Sequence, residues 1–231
     1  MRQPEPRLPE GDEKRTAVRS MFDTIAPRYD LVNRIMTFGL DVGWRRRSIR
    51  ALELPSRSRV LDLACGTGDL CRELERQGHS AIGVDLSHGM LAAARTTAPL
   101  VQGDLLALPV RDGVADGAVC GFALRNLVQL EPFLGEVART LRPRGRVALL
   151  DVSVPDNAVL RGGHAIYFGR VVPAIGGVLS DRAAYRYLPR SLAYLPPAPE
   201  LVAMIARAGF ADVERRQLSG GIAQLYLATR T

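Results

Sequence analysis

The run Val60-Leu61-Asp62-Leu63-Ala64-Cys65-Gly66-Thr67-Gly68-Asp69 constrains this chain more than any other segment. It reads as an apolar strand that enters a Gly-x-Gly turn and leaves as a helix. Glycine lets the backbone pass close to a ligand with no side chain in the way. Amide donors at the turn and the helix start can then bind polar ligand groups. The pattern that follows extends this unit into an α/β sheet. Strands are expected at 59–64, 80–85, 100–102, 115–122 and 145–152, and helices at 68–77, 87–96 and 131–141. Such alternation predicts parallel βαβ units in a Rossmann-like sheet with helices on both faces. Residues 155–199, rich in Pro, Gly and Tyr, break the alternation and read as an inserted lid. A helix at 200–208 and two strands at 212–218 and 222–229, joined at Ser219–Gly221, then predict a terminal hairpin. Upstream, residues 1–15 read as a flexible tail and 16–50 as amphipathic helix interrupted by Pro27. The expected organisation is therefore a tail, then one domain over 16–231.

The turn also selects among ligands. A dinucleotide fold wants Gly-x-Gly-x-x-Gly to admit a pyrophosphate. Here Gly66-Thr67-Gly68 is followed by Asp69-Leu70-Cys71, so the third glycine is missing and Asp69 adds negative charge. A cationic sulfonium without phosphates, S-adenosylmethionine, is the better match. Asp62 at the strand end is placed to accept from the ammonium of a methionine moiety. Asp85, ending the second strand, can take both ribose hydroxyls. Asp104 in Gly103-Asp104-Leu105 can accept from an adenine amino group while apolar neighbours cover the ring. Helix capping is the competing explanation for each acid taken alone. Three strand-end features in register favour the cofactor.

Composition removes other classes. Hydrophobic residues make up 47% of the 231, ample for a buried core. Three cysteines, Cys65, Cys71 and Cys120, make neither a disulfide framework nor a zinc cluster, so no metal is expected and the setting reads as reducing and cytoplasmic. No apolar run is long enough to span a bilayer. The net charge of +7 is carried by scattered arginines rather than a basic patch, which argues against nucleic acid. The same charge suits contact with an anionic membrane, at its inner face. A homodimer is left open.

Beyond the cofactor motif, several blocks carry a more specific likeness. They are Met21-Phe22-Asp23-Thr24-Ile25-Ala26-Pro27-Arg28-Tyr29-Asp30, Phe38-Gly39-Leu40-Asp41, Phe122-Ala123-Leu124-Arg125-Asn126, Asp151-Val152-Ser153-Val154-Pro155, Tyr185-Arg186-Tyr187-Leu188-Pro189-Arg190-Ser191 and Gly220-Gly221-Ile222-Ala223. Through them the chain resembles the quinone C-methyltransferases of ubiquinone and menaquinone biosynthesis. The resemblance implies a class I methyltransferase fold and a lipid quinol substrate, demethylmenaquinol or the equivalent ubiquinol precursor, methylated on a ring carbon. It implies cofactor contacts from Thr67, Asp85, Asp104 and Leu105, with Tyr29 lying over the cofactor. The chain departs from the family pattern at Ala123, Gly121, Arg144 and Tyr226, and the first and last of these are expected close to the pocket.

Ring methylation needs a phenolate that pushes electron density onto the ortho carbon, held in line with the methyl donor. Arg125 and Asn126 are the candidates. Arg125 is always protonated, so it is assigned phenolate stabilisation, lowering the phenol pKa so that water can take the proton, rather than base chemistry, and Asn126 is assigned orientation of the ring oxygen. A structural ion pair is the alternative for Arg125. Tyr185 and Tyr187, in the lid, are candidate substrate contacts, with ordinary aromatic packing as their alternative. His79 and His164 are expected in solvated turns, and His88 at a helix start. The lid's apolar residues and arginines suit a prenyl tunnel facing phospholipid headgroups, with an ordinary amphipathic packing element as the alternative. The competing functions are methylation of another aromatic, lipid or amine on the same fold, and a non-catalytic binding protein.

Overall fold

The computed structural model describes residues 9–231, except the side chains of Val178, Arg182, Ala183, Tyr185 and Arg186. The strands are β1 (Arg59–Leu63), β2 (Ser80–Asp85), β3 (Leu100–Gln102), β4 (Ala115–Gly121), β5 (Leu141–Val152), β6 (Phe210–Leu218) and β7 (Ala223–Arg230). They form a seven-stranded sheet in the order β3-β2-β1-β4-β5-β7-β6. The first five run parallel, and β7 lies antiparallel between β5 and β6. The terminal hairpin turns at Ser219–Gly221, where Gly220 and Gly221 take φ of 71° and 94°. This is the sheet expected from the alternation, with the expected departure at its end.

Helices α1 (Gly11–Ile25), α2 (Tyr29–Met36) and α3 (Leu40–Arg50) precede the sheet. Within it come α4 (Asp69–Arg76), α5 (His88–Ala92) and α6 (Leu130–Thr140). The later helices are α7 (Ala158–Ile166), α8 (Val172–Leu179), α9 (Arg182–Ser191) and α10 (Ala198–Arg207). Alternate strand residues face opposite layers. Leu61 and Leu63 pack with Phe133 and Leu134 of α6 and Leu201 and Ile205 of α10. Val60 packs with Trp44 and Ile49 of α3 and Leu70 and Leu74 of α4. Burial on both faces explains why the central strands read as apolar runs rather than alternating ones.

Two local expectations are corrected. Helix α1 begins at Gly11, inside the stretch expected as tail up to residue 15; residues 1–8 of that stretch lie outside the described residues. Its first turn is anchored through Lys14, 3% exposed, which donates to the Leu127 carbonyl at 2.6 Å. Helix α5 ends at Ala92 rather than 96, because the chain leaves the helical path so that the Arg95 N–H reaches the Thr67 carbonyl at 3.1 Å. The lid is helical, as α7, a π-turn at Tyr167–Val171, α8 and α9. A third apolar cluster joins its Val172 and Ala184 to Ile25, Val32 and Met36 of the N-terminal helices.

From β1 the chain moves outward to β2 and β3, then crosses back to β4 and β5. The strand order reverses between β1 and β4, and ligands of open α/β sheets bind outside the carboxyl ends of the strands at such a switch point. The Gly-rich turn follows β1, and the Phe122–Asn126 segment follows β4.

Candidate active site

The turn after β1 is built from left-handed backbone. Ala64, Gly66 and Gly68 have φ of 57°, 53° and 82°. At Gly68 the conformation coincides with a close approach, since a Cβ would lie 2.8 Å from Thr96 Cγ2. Asp85 reaches across from β2 and accepts from Gly66 N–H at 2.8 Å through one oxygen and from Ser87 N–H at 2.8 Å through the other. Burial raises the Asp85 carboxyl above its ordinary value, and those N–H donors oppose the shift. Asp62 lies behind the turn, fully buried. Its Oδ2 accepts from the Cys71 N–H at 3.0 Å and the Cys71 thiol at 3.2 Å, while Oδ1 has no partner. Burial pushes its carboxyl up to about 7.

Two cavities open on this edge. The smaller, of about 110 Å³, is lined by Tyr29, Gly66, Asp85, Asp104, Leu105 and Asn126, with Arg15, Val18 and Phe22 of α1 on its outer side. It brings six of the residues singled out in the sequence onto one wall. Asp62, Thr67 and Gly68 do not line it; they shape the turn behind it. Thr67 instead bonds Asp30 of α2. Asp69 faces Arg34, Arg45 and Arg72, so its charge is balanced within the protein. The residues present fit a nucleoside sulfonium. Asp85 keeps acceptor lone pairs for a ribose, Leu105 and Leu106 offer an apolar face beside Asp104, and Asn126 Oδ1 is buried with no partner.

The larger cavity, of about 390 Å³, shares Phe22, Tyr29 and Phe122 with the smaller one. Its walls come from α1, α2, α3, α7, the π-turn, α8 and α9 and are mostly apolar, including Met36, Trp44, Leu160 and Phe168. Arg125 reaches it from the short helical turn Leu124–Asn126 after β4. The guanidinium is 6% exposed, pairs with the fully buried Asp151, and donates to the Phe122 carbonyl at 2.9 Å. Its Nε has no partner. Both readings of Arg125 are thus represented, an acid pair on one side and a free N–H on the other. Burial raises the Tyr29 phenol, opposed by Arg45 and Arg125.

Several residues lie elsewhere than the sequence suggested. Tyr226 is in the core on β7, 1% exposed, and lines neither cavity, because its register against Leu149 points it into the layer with Phe133. Ala123 does line the smaller cavity. Tyr187 lines a separate groove between α1 and α9, with its hydroxyl buried and unpartnered. The side chain of Tyr185 lies outside the described residues. His164 is not solvated: it is 9% exposed, on the wall of the larger cavity, with its ring stacked on Phe168 at 4.5 Å. His88 begins α5 as expected. Asp151 as the partner of Arg125, and the cluster of Asp41 with Arg34 and Arg45, were not foreseen. Asp151 stood at a quoted strand end, so its place at the edge was readable, but its partner was not.

Known proteins place this geometry in context. The sequence profile of the ubiE/COQ5 methyltransferase family matches residues 10–230. The chain is 42% identical to the ubiquinone/menaquinone biosynthesis C-methyltransferase UbiE of Syntrophotalea carbinolica, covering 92% of this chain and 94% of that protein. It is 40% identical to the demethylmenaquinone methyltransferase of Thermus thermophilus, covering 91% of this chain and 100% of that one. Among solved structures, a SAM-dependent methyltransferase of Thermotoga maritima superposes with a TM-score of 0.68 at 18% identity, over 93% of this chain and all of the other. Phosphoethanolamine N-methyltransferase 2 of Haemonchus contortus, in complex with S-adenosyl-L-methionine, gives 0.59 at 13% identity, over 80% of this chain and 52% of that one. These structures share the fold. The chain is a member of the ubiE/COQ5 methyltransferase family, with S-adenosylmethionine as its cofactor.

Proposed function

We propose that the chain methylates a ring carbon of a prenylated hydroquinone, converting demethylmenaquinol to menaquinol. The observation that carries this reading is the junction at Tyr29 and Phe122, where an apolar cavity holding a buried arginine meets the cofactor cavity. The bound cofactor supplies an electrophilic methyl group on its sulfonium. Asp85 holds the ribose, and Asp104 with Leu105 holds the adenine. Phe22 and Tyr29 cover the junction and exclude water, which strengthens every charge interaction inside. Arg125 is held by Asp151 and the Phe122 carbonyl, so it is preorganised, and its Nε–H is free to stabilise a ring oxyanion. Asn126, on the cofactor side of the junction, sets the direction of approach.

A space of about 390 Å³ suits a fused ring and leaves a long prenyl tail to emerge at the mouth. Phe38 and Val159 line that cavity yet are 78% and 83% exposed. Ile166 is also exposed, with Arg161 and Arg170 on the same stretch. No helix among the described residues is long and apolar enough to cross a membrane. The exposed rim supports docking on the bilayer surface, with the tail remaining in lipid.

The test is transfer of labelled methyl to demethylmenaquinol in detergent under reducing conditions. The label is expected on a ring carbon, and Arg125→Lys is expected to lower kcat by about 10²-fold with unchanged cofactor affinity. Near-normal turnover in that variant would remove Arg125 from the chemistry.

A further inference from the structure

We propose that His164 is the catalytic base, its Nε2 taking the proton of the ring hydroxyl next to the carbon that is methylated. The inference rests on the hydroquinone reading above and names a side chain, in place of water, as the proton acceptor.

Six titratable side chains among the described residues line the larger cavity: Tyr29, Asp41, Arg45, Arg125, His164 and Tyr167. The two arginines stay protonated and cannot accept a proton. Asp41 already accepts from Arg34 and Arg45 through one oxygen and from the Thr37 hydroxyl at 2.7 Å through the other, so neither oxygen is left for a ring hydroxyl. Tyr167 donates its O–H to the Met36 carbonyl at 2.7 Å. Tyr29 is a phenol itself, and burial raises it further. His164 is left. It is 9% exposed, and its Nε2 is buried with no hydrogen-bond partner. A buried, unpaired imidazole nitrogen costs free energy unless a ligand satisfies it. The ring stacks at 4.5 Å on Phe168, which lines the same cavity. Burial lowers its proton affinity, so it stays neutral and ready to accept.

The O–H bond breaks and its proton goes to Nε2, leaving a phenolate beside the Arg125 Nε–H. The ring carbon forms the new carbon–carbon bond as the donor's sulfur keeps the electron pair of the broken carbon–sulfur bond. The hydrogen on the methylated carbon then leaves to water as a proton, and the imidazolium returns its proton to the ring oxygen. One proton is released overall.

The experiment uses the cofactor-loaded protein and a short-chain demethylmenaquinol over pH 5 to 9. The wild type is expected to lose kcat/KM on the acid side, below the ordinary histidine value. His164→Gln is expected to lose about 10²-fold in kcat and to lose that acid limb, with cofactor affinity by calorimetry unchanged. A second readout needs no variant. The imidazole nitrogen resonances of His164 in the wild type should shift when 1,4-dihydroxynaphthalene binds, as Nε2 gains a donor. If the wild type methylates the quinol but His164→Gln keeps turnover within threefold and the same acid limb, the base assignment is overturned and the activity stands. An unshifted His164 resonance with bound ligand overturns it too. If no quinol is methylated, both readings fall.

Discussion

Asp62 shows how one buried carboxyl serves the site without touching it. The Gly-rich turn needs an acceptor for the first N–H groups of α4, and Asp62 provides it through Cys71. Burial raises its pKa to about 7 against the smaller, opposing effect of the Cys71 bonds. The folded protein therefore holds this proton at a pH where the unfolded chain has lost it. Its contribution to stability is full below about pH 4, the unfolded value, and is lost as pH rises through 7. The difference in urea midpoint between wild type and Asp62→Asn should accordingly shift against the wild type from pH 4 to pH 8. A pH-independent difference would show that Asp62 keeps an ordinary pKa. At this scale the sequence was legible where backbone dictated the residue. Gly66 and Gly68 stand at left-handed φ, and Asp85 stands at a strand end. It was not legible where distant chain segments meet. The pairing of Arg125 with Asp151 spans the gap between β4 and β5, and Tyr226 turned inward by sheet register alone.

Among the elements, α1 forms one side of the smaller cavity. Its Phe22 and Val18 line it, and Arg15 pairs with Asp104 at 2.7 Å. Asp23 fastens the helix to the start of α5, accepting from Ser87 Oγ at 2.6 Å and Gly89 N–H at 2.8 Å. The fit is close enough that a Cβ on Gly89 would lie 2.9 Å from Asp23 Cα. Asp23→Ala removes two charge-assisted hydrogen bonds, each worth roughly 1.5–3 kcal/mol, in part replaced by water. Cofactor Kd by calorimetry should rise about tenfold, which corresponds to ~1.4 kcal/mol, with faster amide exchange along α1. Unchanged affinity would mean that α1 contributes no closure. The start of α1 escaped the sequence because a charged, proline-flanked stretch carries no apolar stripe. What orders it is tertiary: the Lys14 ammonium lies 3.5 Å over the Tyr194 ring and donates to Leu127. The core strands and α6, by contrast, were read to within a few residues, since burial on one or both faces writes itself into hydrophobic periodicity.

Over the whole molecule, the two cavities lie on one side. The carboxyl edge of the sheet, the N-terminal helices and α7–α8 enclose adjoining cavities, and the exposed rim of Phe38 and Val159 lies where the larger one opens. A Phe38→Lys/Val159→Lys double variant should lose flotation with vesicles of mixed neutral and anionic lipid and retain turnover of a water-soluble short-chain quinol. Retained flotation would place the membrane contact elsewhere. The alternating strands and helices gave away the sheet, and the missing third glycine gave away the cofactor class. The lid's helices were hidden because they pack on α2 rather than on the sheet, so no sheet-facing stripe announced them. The most direct measurement is a single assay of labelled S-adenosylmethionine with demethylmenaquinol and, in parallel, the demethylated ubiquinol precursor. A ring-methylated naphthoquinol is the expected product. Tight cofactor binding with no methyl transfer to either quinol would contradict the assignment of the larger cavity to a quinol ring.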